Sequence, residues 1–183
     1  MKRTLIAFVA LAVSSVAQTL SQSEFRALGK SCVPDSDRIL VTAVVRTESA
    51  FNAFALSLNY PETLAHKAGL PPGRLYLKRQ PKSAAEAERW VRELTSEGVS
   101  VSVGLMQVNA ESGYPIRELL NPCSNLRIGW GILRRDYERA VAVVGPGRRA
   151  LRMAISAYNT GSVSAGVSNG YLRAVLKNAL TAR

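Results

Sequence analysis

"VVRTESAFN", residues 44–52, ends an apolar helical pattern with a carboxylate. Leu40, Val44 and Glu48 are spaced four residues apart, which places them on one stripe of a helix. Glu48 therefore continues the apolar face near the C-terminal end of that helix. Burial and the negative end of the helix dipole both disfavour a charged carboxylate, and a general acid must keep its proton. The segment predicts a helical domain in which Glu48 is either an acid catalyst or a structural carboxylate paired with an arginine such as Arg46.

The chain has 183 residues, of which 47% are hydrophobic, and this suits one domain with a sizeable core. Its first residues stand apart, because Lys2 and Arg3 precede an apolar run at 5–13 and small residues follow at 15 and 17. That order is typical of a secretory signal peptide. The apolar run is shorter than the roughly 20 residues that a membrane-spanning helix needs. We therefore expect a signal peptide at 1–17, an exported domain at 18–183, and no stable membrane insertion after cleavage.

The formal net charge of +11 indicates an affinity for polyanions. Nucleic acid, anionic lipid and acidic envelope polymers all carry such charge. Export from the cytoplasm makes nucleic acid the least expected of the three, so we expect no nucleic-acid partner.

The chain contains two cysteines, Cys32 and Cys123, and one histidine, His66. In an oxidising compartment an even number of cysteines favours a disulfide. The alternative is a cysteine nucleophile assisted by His66. One histidine without a Cys/His cluster predicts neither a metal site nor a cofactor.

Helical patterns account for most of the remaining chain. Ser21 with Glu24, and Ser83 with Glu86, have the spacing of capping boxes that begin helices. Further helical periods start near residues 121, 148 and 169. Between these helices, the segment from Leu58 to Lys82 is interrupted by prolines, which predicts a long irregular loop or a set of short turns.

The stretch "VSVGLMQVNAESG", residues 101–113, alternates briefly and then changes character at Gly104. A glycine permits a tight turn or a close backbone approach. Met106 and Gln107 then offer a soft apolar surface beside an amide, which suits the ring face and N-acetyl group of a sugar. A plain corner between a strand and a helix is the alternative.

Three motifs occur in a characteristic order: Glu48-Ser49, then 104–107 followed by Asn109, then Ala157-Tyr158-Asn159. This order resembles that of the lysozyme-like lytic transglycosylases, in particular the VirB1-like transglycosylases of type IV secretion systems. The resemblance implies a mainly α, lysozyme-like transglycosylase domain with a cleft and at most a minimal β element. It also implies a periplasmic protein whose partners are peptidoglycan glycan strands and components of a type IV secretion system.

The resemblance further implies roles for individual residues. Glu48 becomes the catalytic acid and base. Ser57 contacts the N-acetyl group of the substrate, and Tyr158 lies beside the catalytic carboxylate. The substrate-binding residues that it implies are Ser57, Met106, Gln107, Tyr158 and Asn159.

The motifs contain a single acid, whereas most glycosidases use two carboxylates. With Glu48 alone, the C6 hydroxyl of N-acetylmuramic acid can attack the anomeric carbon, because an intramolecular nucleophile outcompetes water. We therefore expect cleavage of the MurNAc-GlcNAc β-1,4 bond with formation of 1,6-anhydro-MurNAc, opening the wall for a type IV secretion or conjugation apparatus. Two alternatives remain: a hydrolytic lysozyme-type muramidase that uses Glu62 or Glu111 as second carboxylate, and a non-catalytic peptidoglycan-binding assembly protein.

Overall fold

The computed structural model describes residues 19–60, 73–77, 79–162 and 170–182. The helices are α1 (Gln22–Cys32), α2 (Arg38–Ser49), α3 (Ala84–Ser96), α4 (Ile116–Leu120), α5 (Pro122–Val144), α6 (Arg148–Thr160) and α7 (Tyr171–Leu180), with a short 3-10 turn at Asp35–Asp37. The strands are β1 (Leu56–Tyr60), β2 (Gly73–Tyr76), β3 (Ser100–Val103) and β4 (Val108–Asn109). The prediction of a mainly α fold is confirmed.

Several predictions concern residues that the structure does not describe. The expected signal peptide at 1–17 lies outside the described residues, and so do Glu62 and His66. Within the described ranges, no helix is long and apolar enough to cross a bilayer.

The four strands form one antiparallel sheet in the order β2-β1-β3-β4. The prediction of an irregular segment from Leu58 to Lys82 is therefore wrong at 58–60 and 73–76, where the chain forms strands. Strand pairing depends on neighbours distant in sequence, which local proline and glycine signals do not reveal. Along β1 and β3, side chains alternate between the core and the opposite face. Leu58 and Val101 are buried in the core.

The core is assembled around α2, which packs against α7, while α5 packs against α6. Val41, Ala43, Val44 and Val45 of α2 are almost completely buried. The helix ends at Ala50, whose φ of 49° is left-handed. The apolar stripe that the sequence predicts for α2 is thus packed in the core as far as the last turn of the helix.

The predicted disulfide between Cys32 and Cys123 is confirmed, with 5.4 Å between the two Cα atoms. It joins the end of α1 to the first turn of α5. Neither cysteine is a free thiol, so the interpretation of Cys123 or Cys32 as a nucleophile is wrong.

Replacing Cys32 and Cys123 together by serine should lower the free energy of unfolding. The bond spans 91 residues, and closing such a loop stabilises by about 4 to 5 kcal/mol in the chain-entropy model. Urea unfolding of the oxidised wild type and the double variant measures the difference, and reduced wild type is the matched control. Wild-type protein with two reactive thiols after export and denaturation would contradict the account.

Two glycines of α5 differ sharply in what surrounds them. A Cβ atom added to Gly129 would lie 2.6 Å from both Cβ and Sδ of Met106, and 3.0 Å from Oη of Tyr158. A Cβ atom added to Gly131 would have Nη1 of Arg135, at 3.8 Å, as its nearest neighbour. Gly129 therefore lets α5 approach the segment after β3 closely, whereas Gly131 faces open space.

The two glycines provide a matched pair of substitutions. Gly129→Ala should lower the unfolding free energy by about 1 to 3 kcal/mol, because the new methyl group overpacks a filled site. Gly131→Ala should raise it by about 0.5 to 1 kcal/mol, because alanine favours the helix without meeting a neighbour. Urea titration of both variants measures the sign of each change in unfolding free energy. An unfolding free energy of Gly129→Ala equal to or above that of the wild type would show that the close approach at Gly129 is not needed.

Candidate active site

Glu48 lies on the last turn of α2, and only 4% of its surface is exposed. Its Oε1 atom accepts a hydrogen bond from the hydroxyl of Tyr171 at 2.7 Å. Tyr171 is the first residue of α7. Two helices from distant parts of the sequence thus fix the position of one carboxyl group.

Arg46, the arginine considered from the sequence as a partner for Glu48, makes other contacts. Its Nη1 atom donates to Oγ1 of Thr181 at 2.7 Å. Its guanidinium lies 5.6 Å from the ring centroid of Phe51. These contacts join α2 to the end of α7 and to the loop after α2.

Glu48 faces a cleft of about 550 Å³. Gln107, Tyr158 and Asn159, all predicted as site residues, line the same cleft. The structure therefore brings together residues from α2, from the turn after β3 and from the end of α6. The other residues that line the cleft are Asn59, Ser102, Val108, Asn109, Ser112, Ile132 and Gly161.

The turn at 104–107 has two residues with positive φ, Gly104 at 80° and Gln107 at 50°. The buried side chain of Asn125 holds this turn. Its Oδ1 accepts from the backbone N–H of Met106 at 2.8 Å, and its Nδ2 donates to the carbonyls of Val103 at 2.9 Å and Leu119 at 2.8 Å. A Cβ atom at Gly104 would lie 2.4 Å from Nδ2 of Asn125, so a glycine is required there.

Gln107 and Tyr158 are both hydrogen-bonded to the backbone around this turn. Nε2 of Gln107 donates to the carbonyls of Ala55 and Gly104, each at 2.9 Å. The hydroxyl of Tyr158 donates to the carbonyl of Met106 at 2.7 Å. These hydrogen bonds fix the positions of Gln107 and Tyr158 in the cleft wall next to Glu48.

Ser57 and Met106 were expected to contact substrate, and both residues are buried. Each is 0% exposed. Met106 packs against Gly129 of α5, because the turn directs its side chain into the core. Ser57 lies within β1, between β2 and β3. Both side chains support the cleft wall and do not form its surface in this structure.

The sheet contributes polar cleft residues that the sequence reasoning missed. Nδ2 of Asn59 donates to Oγ of Ser102 at 3.0 Å, and Nδ2 of Asn109 donates to Oγ of Ser100 at 3.0 Å. Asn59, Ser102 and Asn109 line the cleft. The signal in the sequence is the alternation of serine with valine in β3, which places the serines on the face opposite the core.

A second cavity of about 280 Å³ adjoins Glu48. Glu48 and Gln107 line both cavities, and Asn52 and Gln80 line the smaller one. Gln80 is held in place by two hydrogen bonds to the backbone of Leu56, at 2.8 and 3.0 Å. Glu48 therefore borders two adjoining cavities.

Glu48 is the only acid among the described residues that line these two cavities. Glu111, a candidate second carboxylate, is exposed, and its backbone N–H donates to Oδ1 of Asn109 at 2.8 Å. Among described residues, the site thus offers one buried carboxyl for proton transfer, surrounded by amides and hydroxyls.

Comparison with known proteins agrees with this geometry. The chain is 33% identical over 147 residues to the type IV secretion system protein virB1 of Brucella abortus, covering 78% of this chain and 56% of that protein. It is 30% identical over 166 residues to the protein virB1 of Agrobacterium tumefaciens, covering 88% of this chain and 63% of that protein. The chain thus spans less than two thirds of these relatives' length. No solved structure matches it significantly. Residues 28–179 match the transglycosylase SLT domain, and the chain belongs to that family.

Proposed function

We propose that this protein is a lytic transglycosylase that cleaves the β-1,4 bond between N-acetylmuramic acid and N-acetylglucosamine in peptidoglycan. The observation that carries the proposal is the buried carboxyl of Glu48, which is held by Tyr171 and is the only acid among the described residues that line the cleft and the adjoining cavity. Membership of the transglycosylase SLT domain family supports the same activity.

In the first step Glu48 acts as a general acid. Its protonated carboxyl gives its proton to the glycosidic oxygen while the bond from that oxygen to C1 of the muramic acid breaks. Burial of Glu48 keeps water away, and the hydroxyl of Tyr171 fixes the orientation of the carboxyl. The ring that remains carries positive charge at C1 and at the ring oxygen, next to the carboxylate that has just formed.

In the second step Glu48 acts as a general base. The carboxylate accepts the proton of the C6 hydroxyl of the same ring, and O6 forms a bond to C1. The proton that Glu48 gave away is thereby replaced, no water is consumed, and the product ends in 1,6-anhydro-MurNAc. The lack of a second acid among the described cavity residues supports this internal nucleophile over a double-carboxylate hydrolysis.

The remaining cleft residues position the glycan. Asn59, Asn109 and Ser102 form a polar wall on the sheet, whose amides and hydroxyls suit the hydroxyl and N-acetyl groups of the sugars. Gln107 and Asn159 border the same space. In this assignment Ser57 and Met106 support the wall from within the core.

The biological setting belongs to the same proposal. We assign residues 1–17 to a signal peptide and 18–183 to one transglycosylase domain acting in the periplasm. The name of the Brucella abortus relative, a type IV secretion system protein, supports a task beside a type IV secretion apparatus, where a local opening in the wall would admit the machinery. Glycan strands are then the substrate, and secretion components are the protein partners.

Glu48→Gln should abolish lysis of purified sacculi while leaving the fold intact. Glutamine has nearly the same shape but cannot deliver the proton, and loss of a general acid costs at least about 100-fold in rate. Turbidity clearing measures the rate, and circular dichroism checks the fold. Glu111→Gln is the matched control and should clear at the wild-type rate. Clearing by Glu48→Gln at the wild-type rate would show that Glu48 is not the catalytic acid, whereas no clearing by the wild type itself would favour the non-catalytic binding protein.

The released fragments should carry non-reducing 1,6-anhydro ends, because the C6 hydroxyl and not water captures the anomeric carbon. Mass spectrometry should show each fragment lighter by one water than the corresponding product of a hydrolytic muramidase on the same sacculi. Borohydride should leave these ends unchanged. Reducible ends of full mass would establish hydrolysis and require a second carboxylate near Glu48.

A further inference from the structure

A second large groove, of about 740 Å³, shares no described lining residue with the catalytic cleft. It lies where the start of α2, the middle of α5 and the start of α6 meet. We call it the α5–α6 groove, and define it by Leu40, Trp130, Tyr137, Arg148 and Leu151. The proposed lytic reaction gives this groove no task.

The aromatic side chains of the α5–α6 groove are held in fixed positions. Nε1 of Trp130 donates to Oδ2 of Asp37 at 2.9 Å, and the guanidinium of Arg134 lies 5.8 Å from the centroid of the indole ring. The hydroxyl of Tyr137 accepts from the backbone N–H of Gly147 at 3.3 Å. The indole N–H is thus already used, and the groove offers mainly ring faces and aliphatic side chains. Such a surface suits bulky apolar side chains better than hydroxyl-rich sugars.

Positive charge is concentrated on the α6 side of the groove, whereas Asp37 on the opposite side accepts from the indole of Trp130. Arg148, Arg149 and Arg152 are exposed in the first two turns of α6, where no acid and no capping side chain is present. Cations at this end of a helix oppose the helix dipole, so the arrangement does not favour stability of the helix. None of the three forms an ion pair with another described residue; the nearby pairs are Arg134 with Glu138 and Arg139 with Asp136.

We propose that the α5–α6 groove binds an acidic peptide segment of a partner protein. A bulky apolar side chain of the segment enters between Trp130 and Leu151, and its carboxylates meet Arg148, Arg149 and Arg152. Charge complementarity favours an acidic partner. The concave apolar floor of the groove favours a protruding side chain, which a flat lipid surface does not offer. The proposal does not depend on Glu48 or on the reaction.

Selection of random dodecapeptides displayed on phage, against the full exported chain, tests this directly. Enriched peptides should combine acidic residues with at least one aromatic or large aliphatic residue. The chain has two tryptophans, Trp90 and Trp130, so a Trp90→Phe background reports on the groove alone. Selected peptides, made synthetically, should change the emission of Trp130.

Matched variants distinguish binding in the α5–α6 groove from general electrostatic attraction of acidic peptides to a basic protein. Arg148→Glu should weaken binding of the selected peptides about tenfold, as a close charge pair at an interface does. Arg26→Glu, the same change at an exposed position of α1, should leave affinity within about twofold. Both variants should keep wild-type lytic activity. Exchange of the apolar residue of the peptide for serine should abolish binding.

Four results would overturn the proposal. They are a selection without acidic motifs, equal binding to Arg148→Glu and wild type, binding that survives loss of the apolar residue, and no change in Trp130 emission. A Trp130 response to vesicles of anionic phospholipid or to chitotetraose, without one to the peptides, would also reject it and assign the groove to lipid or glycan.

Discussion

The side-chain amide of Asn125 is the contact on which the catalytic cleft depends. Completely buried near the start of α5, it hydrogen-bonds to the backbone just before and within the turn at 104–107 and to the end of α4. An unpaired backbone group left in this interior would cost about 1 to 3 kcal/mol. Gly104 is fixed by the same contact, because any side chain would collide with the amide. Through this turn, Asn125 determines where Gln107 lies relative to Glu48.

The C-terminal helix α7 fixes the other side of the site. Its first residue, Tyr171, holds the carboxyl of Glu48, and near its end Asn178 donates to Oγ1 of Thr47 at 2.9 Å. Thr181, just after the helix, accepts from Arg46. Three consecutive residues of α2, from Arg46 to Glu48, are thus each bound to α7 or to the residue that follows it. The orientation of the carboxyl consequently depends on a helix more than 120 residues further along the chain.

The helical fold, the burial of Glu48 and the disulfide could all be predicted from sequence. Each depends on local periodicity, or on a count of two cysteines in a chain that is expected to be exported. The pairing of β1 with β2 could not be predicted, because strand pairing depends on residues outside the local sequence pattern of either strand. The direction of the Met106 side chain is hidden for a related reason, because the space that it fills is left by Gly129, which lies on α5. The sequence around Tyr171 likewise contains no signal of a role at the site, because Tyr171 reaches Glu48 only when α7 packs on α2.

The central claim is that one carboxyl performs both proton transfers on a glycan that crosses the site. The most direct measurement is a crystal structure of the Glu48→Gln protein with an uncleaved tetrasaccharide of alternating N-acetylglucosamine and N-acetylmuramic acid. The account predicts the scissile oxygen about 3 Å from the amide at position 48, with the C6 hydroxyl of the muramic acid directed at its own anomeric carbon. A carboxylate of Glu62 or Glu111 on the opposite face of that ring, about 5 to 9.5 Å from position 48, would contradict it.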